Sequence, residues 1–204
     1  MLLLNKSAIF QILADPEGSA AALSEAATLI DPMQQPRNAF GLRFNLVVDL
    51  CHLERFVGAE PCLCEVRELA EQLGGELDLA RVVWLEGKVA AGLGRFGEAR
   101  SAFEQARRAF ERHELPYDFA LVSLELAALL LEQGLAEEVS TLAGEILKIF
   151  QAQRIEREAL AAVQMFCDAA RRKAATVELA RQVTRFLYRA QHDPGPGLSI
   201  QPTV

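Results

Sequence analysis

Residues 91–110 read AGLGRFGEARSAFEQARRAF, and their reading decides the fold. Apolar residues end at Leu93, glycine follows at 94, and a new apolar series opens at Ala99 with Phe103 and Ala106 behind it. Residues three and four apart share one face of an α-helix. Glycine enters the left-handed conformation that ends a helix without steric cost. The stretch therefore reads as helix end, tight turn and helix start.

Moved by forty residues, the same pattern recurs. The small residue opening the second helix falls at Ser19, Ala59, Ala99 and Val139, with Leu179 in a fifth copy. Four residues on come Leu23, Leu63, Phe103, Ala143 and Val183, and three further on Ala26, Val66, Ala106, Ile146 and Phe186. All fifteen are apolar or small. Helix ends are expected near Ala14, Glu54, Gly94 and Gly134. Asp15 followed by Pro16 and Glu17 has the order of an N-cap, a first helical proline and an acid in the first turn. Pro36 and Pro116 mark further starts, and Pro61 is placed in a first turn, where a missing N–H has no intrahelical partner to lose.

This spacing predicts helices over 2–14 with 16–31, 37–54 with 57–74, 77–94 with 96–113, 116–134 with 136–152, and 155–173 with 175–191. Residues 1–192 form one repeat domain, and 193–204 (DPGPGLSIQPTV) read as a disordered tail. Composition agrees. The chain is 51% hydrophobic and rich in Ala and Leu, with 1 Trp and 2 Tyr. These are helix formers, and strand formers occur singly. The fold class is all-α. One hairpin cannot bury its apolar stripe alone, so neighbours must stack. Leu2, Leu3 and Leu4 begin abruptly, which suits a piece of a longer protein, an end packed on another copy, or simply a natural start.

Residues 92–110, with Gly87, resemble the tetratricopeptide repeat: Gly87 and Ala99 fill its small-residue positions, and Leu93, Gly94, Phe96, Phe103 and Ala106 its turn and core positions. The departures are the forty-residue unit, longer than that family's usual one, and the lack of a closing proline in each repeat. The stretch from Arg81 onward is also similar to the C-terminal part of bacterial proteins in which such repeats follow a helix-turn-helix domain. The resemblance implies a right-handed α-solenoid of about five antiparallel hairpins and a regulatory or scaffolding role.

By the family pattern the first helix of each pair lines a concave groove. Its positions hold Phe44, Trp84, Lys88, Leu124, Gln164, Asp168, Arg171 and Arg172. Aromatic and Arg side chains dominate binding hot spots, and an apolar groove suits a peptide or an amphipathic helix. Packing of Phe44, Trp84 and Leu124 on neighbouring helices is the plainer alternative. The carboxylate clamp of chaperone-binding relatives needs Lys and Asn where this chain has apolar residues. Arg181, Arg185 and Arg189 form a basic stripe for an acidic partner, or a solvated face paired with Glu178.

Other functions find little support. A net charge of −7 disfavours nucleic acid, and no apolar run reaches membrane-spanning length. The start MLLLNKSAIF lacks a basic leader and a small-residue cleavage site, so no secretory signal is expected, and Cys51, Cys62, Cys64 and Cys167 do not make a disulfide framework. A cytoplasmic protein with reduced thiols is expected. Cys62 and Cys64 point about 200° apart on a helix and cannot share one metal ion. The histidines are His52, His113 and His192, and no phosphate loop or nucleophile elbow is present. No enzyme, cofactor or metal site is expected. The reading is a bacterial interaction or sensory module that holds a peptide or protein, part of a larger regulatory protein. The alternative is an oligomerisation element using terminal hairpins to arrange domains encoded elsewhere.

Overall fold

The structure, a computed structural model, describes residues 16–153 and 155–192. Among them are α1 Pro16–Ala27, α2 Pro36–His52, α3 Phe56–Leu73, α4 Glu76–Gly92, α5 Phe96–Arg112, α6 Pro116–Glu132, α7 Ala136–Ala152, α8 Arg157–Arg171 and α9 Val177–His192. No strand occurs among the described residues. The expected helix over 2–14 and the tail at 193–204 lie outside them.

Helices begin at 16, 36, 56, 76, 96, 116 and 136, then at 157 and 177. The twenty-residue beat rests on one turn used repeatedly. Left-handed residues stand at Glu54, Gly74, Gly94, Glu114 and Gly134, each two residues before the next helix. At Gly94 the N–H of Arg95 donates to Ala90 O at 2.8 Å and the N–H of Gly94 to Ala91 O at 3.0 Å. Arg95 O then accepts the N–H of Ala99 at 3.0 Å. One residue thus closes the old helix and opens the next, so orphan groups of both ends are satisfied within three residues.

Fourteen of the fifteen repeat positions are buried; the exception, Leu179, is half-buried, and its neighbour Ala180 is fully buried instead. Pro36 and Pro116 open α2 and α6. Pro61 departs from expectation, because α3 starts at Phe56 and Pro61 is inside it, beyond the first turn. The bond lost is the one to the carbonyl of exposed Val57, which water can satisfy. The helix expected to run to 31 stops at Ala27. Pro32 disfavours a helical Asp31, whose Oδ1 instead accepts the Met33 N–H at 2.9 Å.

The chain divides into two compact units, Met1–Ala102 and Phe103–Val204, with the boundary inside α5. In the first, α1 packs on α2, α2 on α3 and α3 on α4, while α2 also meets α4. Its core includes Phe40, Val47, Leu63, Val66, Val82, Leu85 and Val89. Arg43 bonds Glu65 at 2.6 Å across α2 and α3, and Arg67 forks onto Glu86 at 2.8 and 2.6 Å across α3 and α4. These exposed or half-exposed pairs set register more than stability.

The second unit closes on itself. There α6 packs on α7, α7 on α8 and α8 on α9, and α9 returns to lie along α6, its broadest contact. Arg181 reaches Glu132 at 3.3 Å and Gln191 reaches Asp118 at 3.2 Å. Opposite ends meet, so α9 runs antiparallel to α6. A plain file of hairpins would instead place α9 chiefly on its own partner α8. The connection between α8 and α9 is 172–176.

Candidate interaction surface

On α4 two buried strips flank a half-buried one. Ala80, Val83, Gly87 and Ala90 bury one side, and Val82, Leu85 and Val89 the other. Between them run Leu77, Arg81, Trp84, Lys88 and Ala91, all half-buried, as expected for a helix with a neighbour on each side and one open edge. The equivalent stripe on α2 holds Gly41, Phe44 and Val48. Phe44 stacks on Phe40 with ring centroids 5.7 Å apart and packs on the core, so it is part anchor and part surface. Lys88 Nζ lies 5.5 Å from the Trp84 ring centroid, a cation–π contact that flattens the ammonium onto the aromatic surface. An added Cβ on Gly41 would meet nothing within 4 Å. The space beside Gly41 is therefore open.

Phe44, Trp84 and Lys88, expected on the groove, are each half-buried. Leu124 is different and the expectation is corrected: it is 0% exposed, and Leu121 and Ala128 of the same stripe are buried as well. The sequence PYDFALVSLELAALLLE is apolar nearly all round, and α6 has α7 and α9 against it. On α8, Gln164, Asp168 and Arg171 are exposed, as is Arg172, which caps its end. Asp168 takes Arg171 at 3.5 Å, and Arg172 Nε donates to Asp168 O at 3.1 Å. That stripe is polar and tied to itself.

The stripe of Arg181, Arg185 and Arg189 is exposed along α9. Arg181 pairs with Glu132, Arg185 with Glu178 at 2.8 Å, and Arg189 Nε donates to Arg185 O at 3.4 Å. The hydrogen bond from Arg185 holds the Glu178 carboxyl below its ordinary range. This is the geometry of a solvated, paired face. Among the cysteines, Cys167 is buried and donates to Ala143 O at 2.8 Å, and burial pushes its thiol up to about 11. Cys62 is half-buried, its thiol raised first by burial, and Cys64 is exposed. No described helix is long and apolar enough to cross a membrane.

A further relation in the second unit was not visible in the sequence. Tyr117 Oη donates to Glu156 Oε2 at 2.9 Å, joining the start of α6 to the residue that precedes α8. The thirty-nine-residue separation falls within the repeat arithmetic, but neither residue type announces the bond.

No protein-family profile matches the chain. No curated protein sequence matches it either. Solved structures do. One is a Rap protein complexed with competence and sporulation factor, with a TM-score of 0.73 at 16% identity over 93% of this chain. Another is BtubC from P. vanneervenii, with a TM-score of 0.65 at 15% identity over 97% of this chain and 83% of its own. The chain spans about half, 52%, of the Rap protein's length. At these identities the likeness is one of fold, an all-α helical repeat.

Proposed function

We propose that this chain is a tetratricopeptide-like interaction module that holds a peptide or protein on the open stripe of its first unit, within a larger bacterial regulatory protein. The observation that carries the reading is the stripe itself: Trp84, the sequence's single tryptophan, stays half-buried between two fully buried strips, with Phe44 at the equivalent place on α2. Large aromatics held at a solvent edge are the side chains that dominate binding energy. The Rap structure supports the reading, since a protein of similar fold is there complexed with a factor.

The oligomerisation alternative has less support. On the terminal helix α9, Arg181 and Arg185 are already tied to Glu132 and Glu178, a solvated polar face rather than the apolar one a second copy would bury.

Thermal melting of the full chain with short peptides tests the proposal. A ligand that binds the folded state raises the melting temperature, the stabilisation growing as the logarithm of one plus its concentration over Kd. The rise is expected with wild type and lost in Trp84→Ala, while Arg185→Ala keeps it. Equal rises in wild type and Trp84→Ala would refute the site.

A further inference from the structure

On α6 the stripe equivalent to that of α4 is covered, and the cover is a helix of the same chain. Leu121, Leu124 and Ala128 are 1, 0 and 8% exposed. The helix α9 lies along α6 more broadly than along its own hairpin partner α8. Ala180, Val183, Phe186 and Leu187 of α9 are buried, while Arg181, Arg185 and Arg189 are exposed. Apolar residues three and four apart form one stripe, so α9 is amphipathic. An amphipathic helix laid by its apolar face on an apolar surface is the helix-in-groove mode of recognition.

The two helices are unlike in what each could do alone. Released, α9 would keep an outer face of arginines in water. The sequence of α6, PYDFALVSLELAALLLE, is apolar nearly all round, and its stripe needs a cover. Polar contacts fix α9 at both ends. Arg181 at its start reaches Glu132 at the end of α6 at 3.3 Å, and both side chains are well exposed. Such a pair holds weakly. Gln191 at its end donates to Asp118 at the start of α6 at 3.2 Å, and Asp118 is buried. A buried carboxylate left without its donor is costly, so this contact is the stronger tie.

We propose that α9 is a helical ligand supplied in cis, and that the stripe of α6 is a second helix-binding site which α9 keeps closed. The partner that opens it presents an amphipathic helix with the apolar spacing of α9 and an amide donor for Asp118. This goes beyond the first-unit site and does not depend on it. Held by the connection 172–176, the cis helix stands at an effective concentration on the order of millimolar. A free helix of equal intrinsic affinity at about micromolar concentration therefore displaces little of it. Loosening α9 raises the partner's apparent affinity by the factor it takes from closure.

Native hydrogen exchange and fluorescence anisotropy on the full chain test this, with a labelled peptide of residues 176–192 as the probe. The amides of α9 are expected to exchange as a block before those of α6, as a locally opening unit does. The peptide is expected to bind the Gln191→Ala chain about tenfold tighter than wild type, the order set by one hydrogen bond to a charged group. The peptide brings its own Gln191 to Asp118. Arg181→Ala, at the other end of α9, repeats the comparison with a smaller gain, about threefold. A peptide carrying Val183→Asp and Phe186→Asp is expected not to bind. Exchange of α9 only together with α6, or equal peptide affinity in wild type and both variants, overturns the inference. Equal binding of the altered peptide reveals mere attraction of a basic helix to an acidic chain and overturns it as well. Peptide binding that depends on Trp84 is untouched by any of these results, so the first-unit site stands or falls on its own test.

Discussion

The ring of Phe56 lies against the α-carbon of Gly92, so closely that a Cβ there would sit 2.3 Å from the ring's Cγ and Cδ2. Phe56 opens α3, Gly92 closes α4, and the ring packs on the core of the first unit. Gly92 therefore serves close approach, whereas Gly94 serves the turn, with φ +75°. Gly92→Ala should cost about 1–3 kcal/mol by forcing the ring off its seat. Urea denaturation measures this. Because the cost resides in one contact, Phe56→Ala and Gly92→Ala should be strongly non-additive, the double variant losing far less than the sum.

The turns give a prediction of opposite sign. Glu54 and Glu114 hold φ 56° and 54° at the positions where Gly74, Gly94 and Gly134 take theirs. A side chain in that conformation is strained by roughly 1–2 kcal/mol, partly offset because glycine gains more freedom on unfolding. Glu54→Gly and Glu114→Gly should each stabilise by up to about 1 kcal/mol, and Gly94→Ala and Gly134→Ala should each destabilise by about 1 kcal/mol. Melting curves of the four variants decide it; stabilisation by the alanine variants would show that the left-handed turn is not what ends these helices.

These residues also show what the sequence made legible. Forty-residue spacing identified the buried positions because burial period is a local property of each helix face, and Leu23, Phe103 and Ile146 are 0, 1 and 0% exposed. It even marked Glu54 as a helix end, although glutamate carries no turn signal of its own. Leu124 was missed for a different reason. A period tells which residues share a face, not what covers that face, and here α9 lies along α6. The start of α3 was placed one residue late, and Pro61 was assigned to the first turn although it lies in the helix interior.

Tyr117 supplies a pH-dependent readout. Burial first, and the hydrogen bond to Glu156 next, push its phenol from 10.0 up to about 12. The folded chain then keeps this proton where the unfolded chain loses it. The associated stability is complete below about pH 10 and is lost as pH rises through about 12. In a Tyr188→Phe background, the tyrosinate absorbance of the folded protein should appear near pH 12, and Glu156→Gln should bring it lower. An absorbance rise centred near pH 10 in the folded chain would contradict the bond.

Thiol labelling separates the cysteines. Thiolate is the reactive form, and reactivity follows ionisation and exposure. Cys64 is exposed, Cys62 is half-buried with its pKa raised, and Cys51 and Cys167 are buried. Under native conditions a disulfide reagent should label Cys64 fast and Cys62 slowly, with Cys51 and Cys167 reacting only on unfolding. Mass mapping of the labelled sites checks the order, and early labelling of Cys167 would contradict its hydrogen bond to Ala143 O.

Leu124 and Trp84 stand at equivalent positions of α6 and α4, yet one is enclosed and the other open. Truncating a fully buried leucine removes its transfer energy and leaves a cavity, so Leu124→Ala should cost about 2–5 kcal/mol. Trp84→Ala removes a side chain already partly in water and should cost less, while weakening ligand binding more. Denaturation and peptide anisotropy on both variants form a crossed test: Leu124→Ala loses stability and, at temperatures where it remains folded, keeps affinity. A Leu124→Ala variant of near wild-type stability that no longer binds peptide would return this residue to the binding face and reopen α6 as part of it.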